Sequence, residues 1–133
     1  GESFGDRSPL YVTKYSYRFG MARELNVRLE YSPEKDVLFI NILPEREVET
    51  RTKGYNHSFL VFHEKHNPKA IVGVEAMDFA DTVHELESER VPLPEFDCTF
   101  NVYGSSLRGI HFKDLLKWAY GEFVAKSQFV KAA

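Results

Sequence analysis

The sequence predicts an α+β fold: an antiparallel meander of five or six strands covered by a long C-terminal helix, with a short helix near residues 81–90. Three observations predict it. Leu25, Val27, Leu29 and Tyr31 alternate strictly with Asn26, Arg28 and Glu30, the period of a strand with one wet face. Ser32-Pro33-Glu34-Lys35-Asp36 interrupts that pattern and Val37-Leu38-Phe39-Ile40-Asn41-Ile42-Leu43 follows, so the two apolar runs are strands joined by a turn. Towards the other end, Phe112, Leu115, Leu116, Ala119, Phe123 and Val130 recur at helical spacing, with Lys113, Asp114, Lys117 and Glu122 between them.

The remaining elements follow in order. Leu10 to Phe19 reads as a first strand, with Tyr11, Thr13, Tyr15, Tyr17 and Phe19 on one face and Val12, Lys14, Ser16 and Arg18 on the other. Gly20 ends it, and Met21 opens the best-patterned region. The chain therefore divides into an N-terminal arm or strand over 1–20, whose nativeness to the domain stays open, and a single α+β domain over 21–133. Strand two spans Glu24 to Tyr31 and strand three Val37 to Leu43. Strand three is apolar on both faces, Leu38, Ile40 and Ile42 on one and Val37, Phe39 and Leu43 on the other, which marks a central strand that needs cover twice. Val48 to Thr52 is a candidate short edge strand, Ser58 to Glu64 is strand four, Lys65 to Lys69 a hairpin loop, and Ala70 to Phe79 strand five. Gly73 within strand five suggests a bulge or a close backbone approach. Thr82 and Glu85 have the spacing of a capping box, which gives a short acidic helix from Asp81 to Arg90. Val91-Pro92-Leu93-Pro94 is a stiff connector, and Phe96, Cys98, Phe100 and Val102 alternate as strand six.

Composition narrows the function classes. A chain of 133 residues forms one domain and buries a core without staples. A net charge of −3 gives no general attraction to nucleic acid or to an anionic membrane. The charge is uneven, because Arg7, Lys14, Arg18, Arg23 and Arg28 face only Glu24 in their stretch, whereas the stretch from Glu75 to Asp97 is acidic apart from Arg90. Cys98 is alone, which excludes an internal disulfide. No apolar run approaches a membrane span and no secretory pattern opens the chain, so the expected location is the cytoplasm and no membrane partner is expected. The 11 Phe and 7 Tyr imply either a well-filled core or an adhesive surface.

Two segments carry a likeness: Tyr31-Ser32-Pro33-Glu34-Lys35-Asp36-Val37-Leu38-Phe39-Ile40, and later Ile71-Val72-Gly73-Val74-Glu75-Ala76. Over residues 27–80 the chain resembles a small bacterial domain family of unknown function that opens with Tyr-Asp-x-Glu-x-Asp-x-Leu-Tyr-Ile and later has a strand close to Val-Val-Gly-Ile-Glu-Ile. The resemblance implies a compact antiparallel sheet followed by a helix. It implies no activity and no catalytic residue. The aromatic first strand and the residues after 80 depart from the family pattern.

His63-Glu64-Lys65-His66 invites a metal reading. The zinc-protease signature sets two histidines four apart on a helix, whereas these are three apart at a strand-to-loop junction. On a strand they point to opposite faces unless a turn brings them together. Glu75 or Asp78 from the adjacent strand could then complete a site, so His63, His66 and Glu75 are metal candidates, with no metal and no cofactor as the expectation. Glu75 is otherwise a titrating carboxylate on an apolar strand or, more often, the partner of an arginine, for which Arg28 is the candidate. Cys98 reads as a core residue. His84 and His111 have no visible partner, and Gly104-Ser105-Ser106-Leu107-Arg108-Gly109 lacks the lysine and the spacing of a phosphate loop.

The tyrosine face is the most unusual feature. Tyr11, Tyr15 and Tyr17, with Lys14 and Arg18, could stack the bases of single-stranded nucleic acid, although the cations fall on the opposite strand face. Tyrosine equally suits a protein interface that is dry at one end and wet at the other. Strand three needs a second cover that the short acidic helix cannot supply, and a second copy would supply it. The sequence therefore points to a non-enzymatic interaction module, homodimeric and with regulation as a candidate role, using Tyr11, Tyr15, Tyr17 and Phe39; a different protein partner is the other occupant considered. Two alternatives stand beside it: a small metal-dependent enzyme using His63, His66 and Glu75, and a single-strand nucleic-acid binder using Tyr11, Tyr15 and Tyr17.

Overall fold

Alternation and tight turns combine into a single sheet. The computed structural model describes residues 10–18, 21–42, 49–88, 92–94, 96, 98–102 and 105–126. The strands are β1 (Leu10–Arg18), β2 (Met21–Ser32), β3 (Val37–Ile42), β4 (Thr50–Gly54), β5 (Phe59–Glu64), β6 (Asn67–Ala76) and β7 (Thr99–Val102). The helices are α1 (Phe79–Leu86) and α2 (Phe112–Tyr120), the latter continued by a π-helical turn (Gly121–Ala125). The α+β class predicted from the sequence holds. The sheet has seven strands rather than five or six, because the short edge strand forms as well.

Their order is β4-β5-β6-β3-β2-β1-β7, and every neighbouring pair is antiparallel. This is two meanders side by side rather than one. β1-β2-β3 and β4-β5-β6 join where β3 pairs with β6, and β7 returns to the outer side of β1. β3 is therefore central, as its two apolar faces require. Strand limits shift slightly: β2 begins at Met21, β4 lies two residues later than expected, and the hairpin loop contracts to Lys65 and His66, so that β6 starts at Asn67.

One face of the sheet carries the core. Val27, Leu29, Leu38, Ile40, Phe59, Val74, Ala76 and Phe100 are almost fully enclosed beneath Phe79 and Leu86 of α1 and Leu115, Leu116 and Ala119 of α2. Rings interlock across this layer, with Phe59, Phe96 and Phe100 all within ring contact of Phe112. Cys98 is buried among these residues.

The short helix begins two residues earlier than its expected start and for a different reason. Thr82 and Glu85 form no capping box; Thr82 lies inside α1, buried, with its hydroxyl donating to Met77 O at 2.9 Å. The residue preceding the helix, Asp78, makes no side-chain cap. The free N–H groups are satisfied from the β2–β3 turn, where Asp36 O accepts Phe79 N–H at 2.9 Å and the Asp36 carboxylate accepts Ala80 N–H at 3.2 Å. Asp36 reaches them from a left-handed backbone (φ 53°), a conformation that aspartate tolerates better than most residues.

The helix expected from Phe112 to Val130 is α-helical as far as Tyr120 and then loosens into the π turn, with Lys126 N–H bonded to Gly121 O. Residues 1–9, Phe19, Leu43, Val48, Arg90, Gly104 and Val130, on which expectations also rested, lie outside the described residues. Among the described residues no helix is long and apolar enough to cross a membrane.

Candidate functional site

Both helices pack on one side of the sheet, so the other side is where β3 meets its second demand for cover. Pairing register defines that side. One row runs Leu60, Glu75, Phe39, Glu30 across β5, β6, β3 and β2; the next runs Phe62, Gly73, Asn41, Arg28. Apart from the buried Gly73, every residue in these two rows is partly exposed, whereas Leu38 and Ile40, one residue either side of Phe39, are 0% exposed. Phe39, Leu60 and Phe62 make no part of the helix-covered core. Three large apolar groups therefore share a sheet face with carboxylates, an arginine and an amide.

Gly73 shapes the middle of this face and meets both expectations for it. The register slips after Phe62, so that His63 pairs with Ile71 and the bulge falls beside the glycine. A Cβ at Gly73 would stand 3.3 Å from Ile40 O and 3.6 Å from Phe62 Cβ, so a side chain there would press on the β3 carbonyl, which would have to give by a few tenths of an ångström.

The charges do not pair as expected. Arg28 Nε lies 2.8 Å from Glu30 Oε1 instead of bonding Glu75. The approach is out of line, which leaves the enclosed Nε–H with no hydrogen bond. Both side chains are about two-fifths exposed, 41% and 42%, so the pair adds little stability. Glu75 has no ion pair among the described residues and lies between Phe39 and Leu60.

β1 extends the same face by register. Tyr11 pairs with Arg28, Tyr15 with Glu24 and Tyr17 with Ala22, which gives the three tyrosines positions on the side of Phe39. Val12 pairs with Val27 and Val102, and Lys14 with Leu25 and Phe100, on the helix side; Arg18 shares their parity. Tyrosine and cation positions thus fall on opposite sides of the sheet, which does not assemble the single surface of rings and charges that base stacking requires.

The metal candidates are not brought together. His63 stands opposite Arg51 and Ile71, with Nδ1 2.7 Å from Glu64 O. His66 is exposed in the two-residue turn, and Glu75 is on the Phe39 side. Among the described residues no three His, Cys, Asp or Glu side chains form a group able to hold a metal ion.

Two features escaped the sequence. Leu60 and Phe62 join the face because β5, like β3, is apolar at both parities, a signal available in Phe59-Leu60-Val61-Phe62. The second is a polar clasp on the helix side: Tyr31 OH donates to Asp36 Oδ1 at 2.6 Å, and its ring meets Phe79 and Phe123. Burial, then the hydrogen bond to Asp36 and the nearby negative charge, pushes the Tyr31 phenol well above its usual range. The neutral phenol is the form this clasp needs.

Comparison with known proteins returns no matching family model, no matching curated protein and no matching solved structure.

Proposed function

We propose that this chain is a non-enzymatic interaction module that associates with a second copy of itself through the sheet face opposite its helices. Phe39 is the centre of that contact, Leu60 and Phe62 extend it on one flank, and Tyr11, Tyr15 and Tyr17 extend it on the other. The observation that carries this reading is the one-sided placement of the helices, which leaves the outer residues of a central, doubly apolar strand partly exposed. A homodimer buries the same patch on both partners, so a single apolar face suffices. The likeness of residues 27–80 to the small bacterial family belongs to the same proposal, since those residues make up most of this face.

Phe39→Lys tests it cleanly. Register puts position 39 between Glu30 and Glu75, so the new cation gains two cross-strand acids and the monomer stays folded. Light scattering across micromolar concentrations is expected to give a dimer mass for the wild type and a monomer mass for the variant. A wild type that stays monomeric throughout sinks the proposal.

A further inference from the structure

The sheet has two outer edges, and among the described residues the chain closes only the one at β7. On β7, Phe100 exchanges both backbone hydrogen bonds with Ile110 (2.9 and 3.0 Å) and Val102 N–H reaches Leu107 O at 2.9 Å, so the following loop occupies that edge. β4 stands at the far end of the strand order, and all five of its residues are exposed. Its pairing phase is fixed at both ends, where Lys65 N–H donates to Glu49 O at 2.9 Å and Tyr55 N–H to Phe59 O at 3.0 Å. Hydrogen-bonded positions alternate along an antiparallel ladder. Arg51 and Lys53 therefore turn their backbone groups towards β5, and Thr50, Thr52 and Gly54 turn theirs outward.

Open edges are commonly guarded by proline, by a bulge or by charge. β4 has no proline, and the register shifts lie between β5 and β6 rather than between β4 and β5. Its guard is charge alone, and that guard is selective. Full antiparallel pairing with a second β4 centred on Thr52 would set Arg51 opposite Lys53 twice, an arrangement of like charges that opposes it. The same two cations share one side of the strand and have no ion pair among the described residues. A strand with acids at alternate positions would meet both. A Cβ added at Gly54 would meet nothing within 4 Å, so this end of the edge is uncrowded.

We infer that β4 is a docking edge for an extended acidic segment of a partner protein. That segment adds a strand to the sheet through the outward backbone groups of Thr50, Thr52 and Gly54, and it pairs alternate carboxylates with Arg51 and Lys53. Main-chain bonds supply affinity, and the alternate charges supply selectivity.

The probe is a capped Ser-Thr-Glu-Val-Glu-Thr-Ser peptide, with lysine in place of both glutamates as its control, titrated into the full chain and followed by amide NMR. The acidic peptide is expected to shift the amides of residues 50–54, slow hydrogen exchange at Thr50 and Thr52, and bind about tenfold or more tightly than the lysine peptide. The double variant Arg51→Glu, Lys53→Glu is expected to reverse that preference. Thr52→Pro removes an outward N–H without breaking the β4–β5 ladder, and it is expected to abolish binding while the spectrum stays folded. The inference is overturned by equal affinity for the two peptides, by binding that survives Thr52→Pro, by shifts centred on Phe39, or by no binding of the acidic peptide at millimolar concentration.

Discussion

At the scale of single residues, Asp36 does the most. It closes the β2–β3 turn in a left-handed backbone, accepts the Tyr31 hydroxyl and caps α1 from outside the helix. Two substitutions separate these roles. Asp36→Gly keeps the turn relaxed but loses the cap, at a cost of about 1 kcal/mol. Asp36→Ala adds the left-handed penalty, about 1–2 kcal/mol more. Urea midpoints for the two variants should therefore differ, and equal midpoints would show that the turn carries no strain. Tyr31 adds a pH signature. Its folded value is raised above that of a free phenol, so the neutral form is favoured on folding. That stabilisation is fully present below about pH 10, the ordinary phenol value, and is lost as pH rises through the folded value. Tyr31→Phe is expected to be less stable than the wild type at neutral pH, with the gap narrowing as the solution is made more alkaline than about pH 10. A gap that stays constant across that range would mean that the phenol proton is not what the clasp holds.

At the scale of elements, the strands were legible and the helix limits were not. A strand announces itself by alternation, as β2 does, or by a short run that is apolar on both faces between turn signals, as β3 does. Helix α1 was misplaced because its cap comes from Asp36, far away in sequence; Thr82 and Glu85 have the right local spacing, but burial and the Met77 carbonyl claim the threonine hydroxyl. The Arg28–Glu75 pairing failed for a similar reason: β3 intervenes between β2 and β6, and Glu30 on Arg28's own strand is nearer. Gly73 was readable, because a glycine inside an apolar strand needs a reason, and Ile40 O supplies it. The element-scale prediction follows from that contact. Gly73→Val pushes branched methyls into the β3 carbonyl and the Phe62 stem, and it is expected to cost about 1–3 kcal/mol. Thermal or urea unfolding of the purified variant checks this, and a variant as stable as the wild type would show that the strands part there at no cost.

At the scale of the whole molecule, the decisive fact is that the two helices and seven strands of the described residues make two layers. The sequence disclosed this in part. β3 is apolar on both faces, and the helices offer apolar residues for only one of them. It did not disclose the strand order, since the β3–β6 pairing joins residues more than thirty positions apart and no local pattern encodes it. The proposed contact would couple the stability of the domain to whatever occupies the face opposite the helices. If that occupant is a second copy, unfolding of the dimer releases two chains and becomes concentration dependent. Each tenfold rise in protein concentration should then add about 1.4 kcal/mol per dimer to the apparent stability. Phe39→Lys, held between Glu30 and Glu75, should unfold at a midpoint that does not move with concentration. Calorimetry of both proteins over a hundredfold concentration range compares the two slopes directly. Parallel, flat behaviour would mean that the exposed part of Phe39 is tolerated by the monomer alone, and the self-association proposal would then lose its energetic basis even if crowded samples showed larger particles.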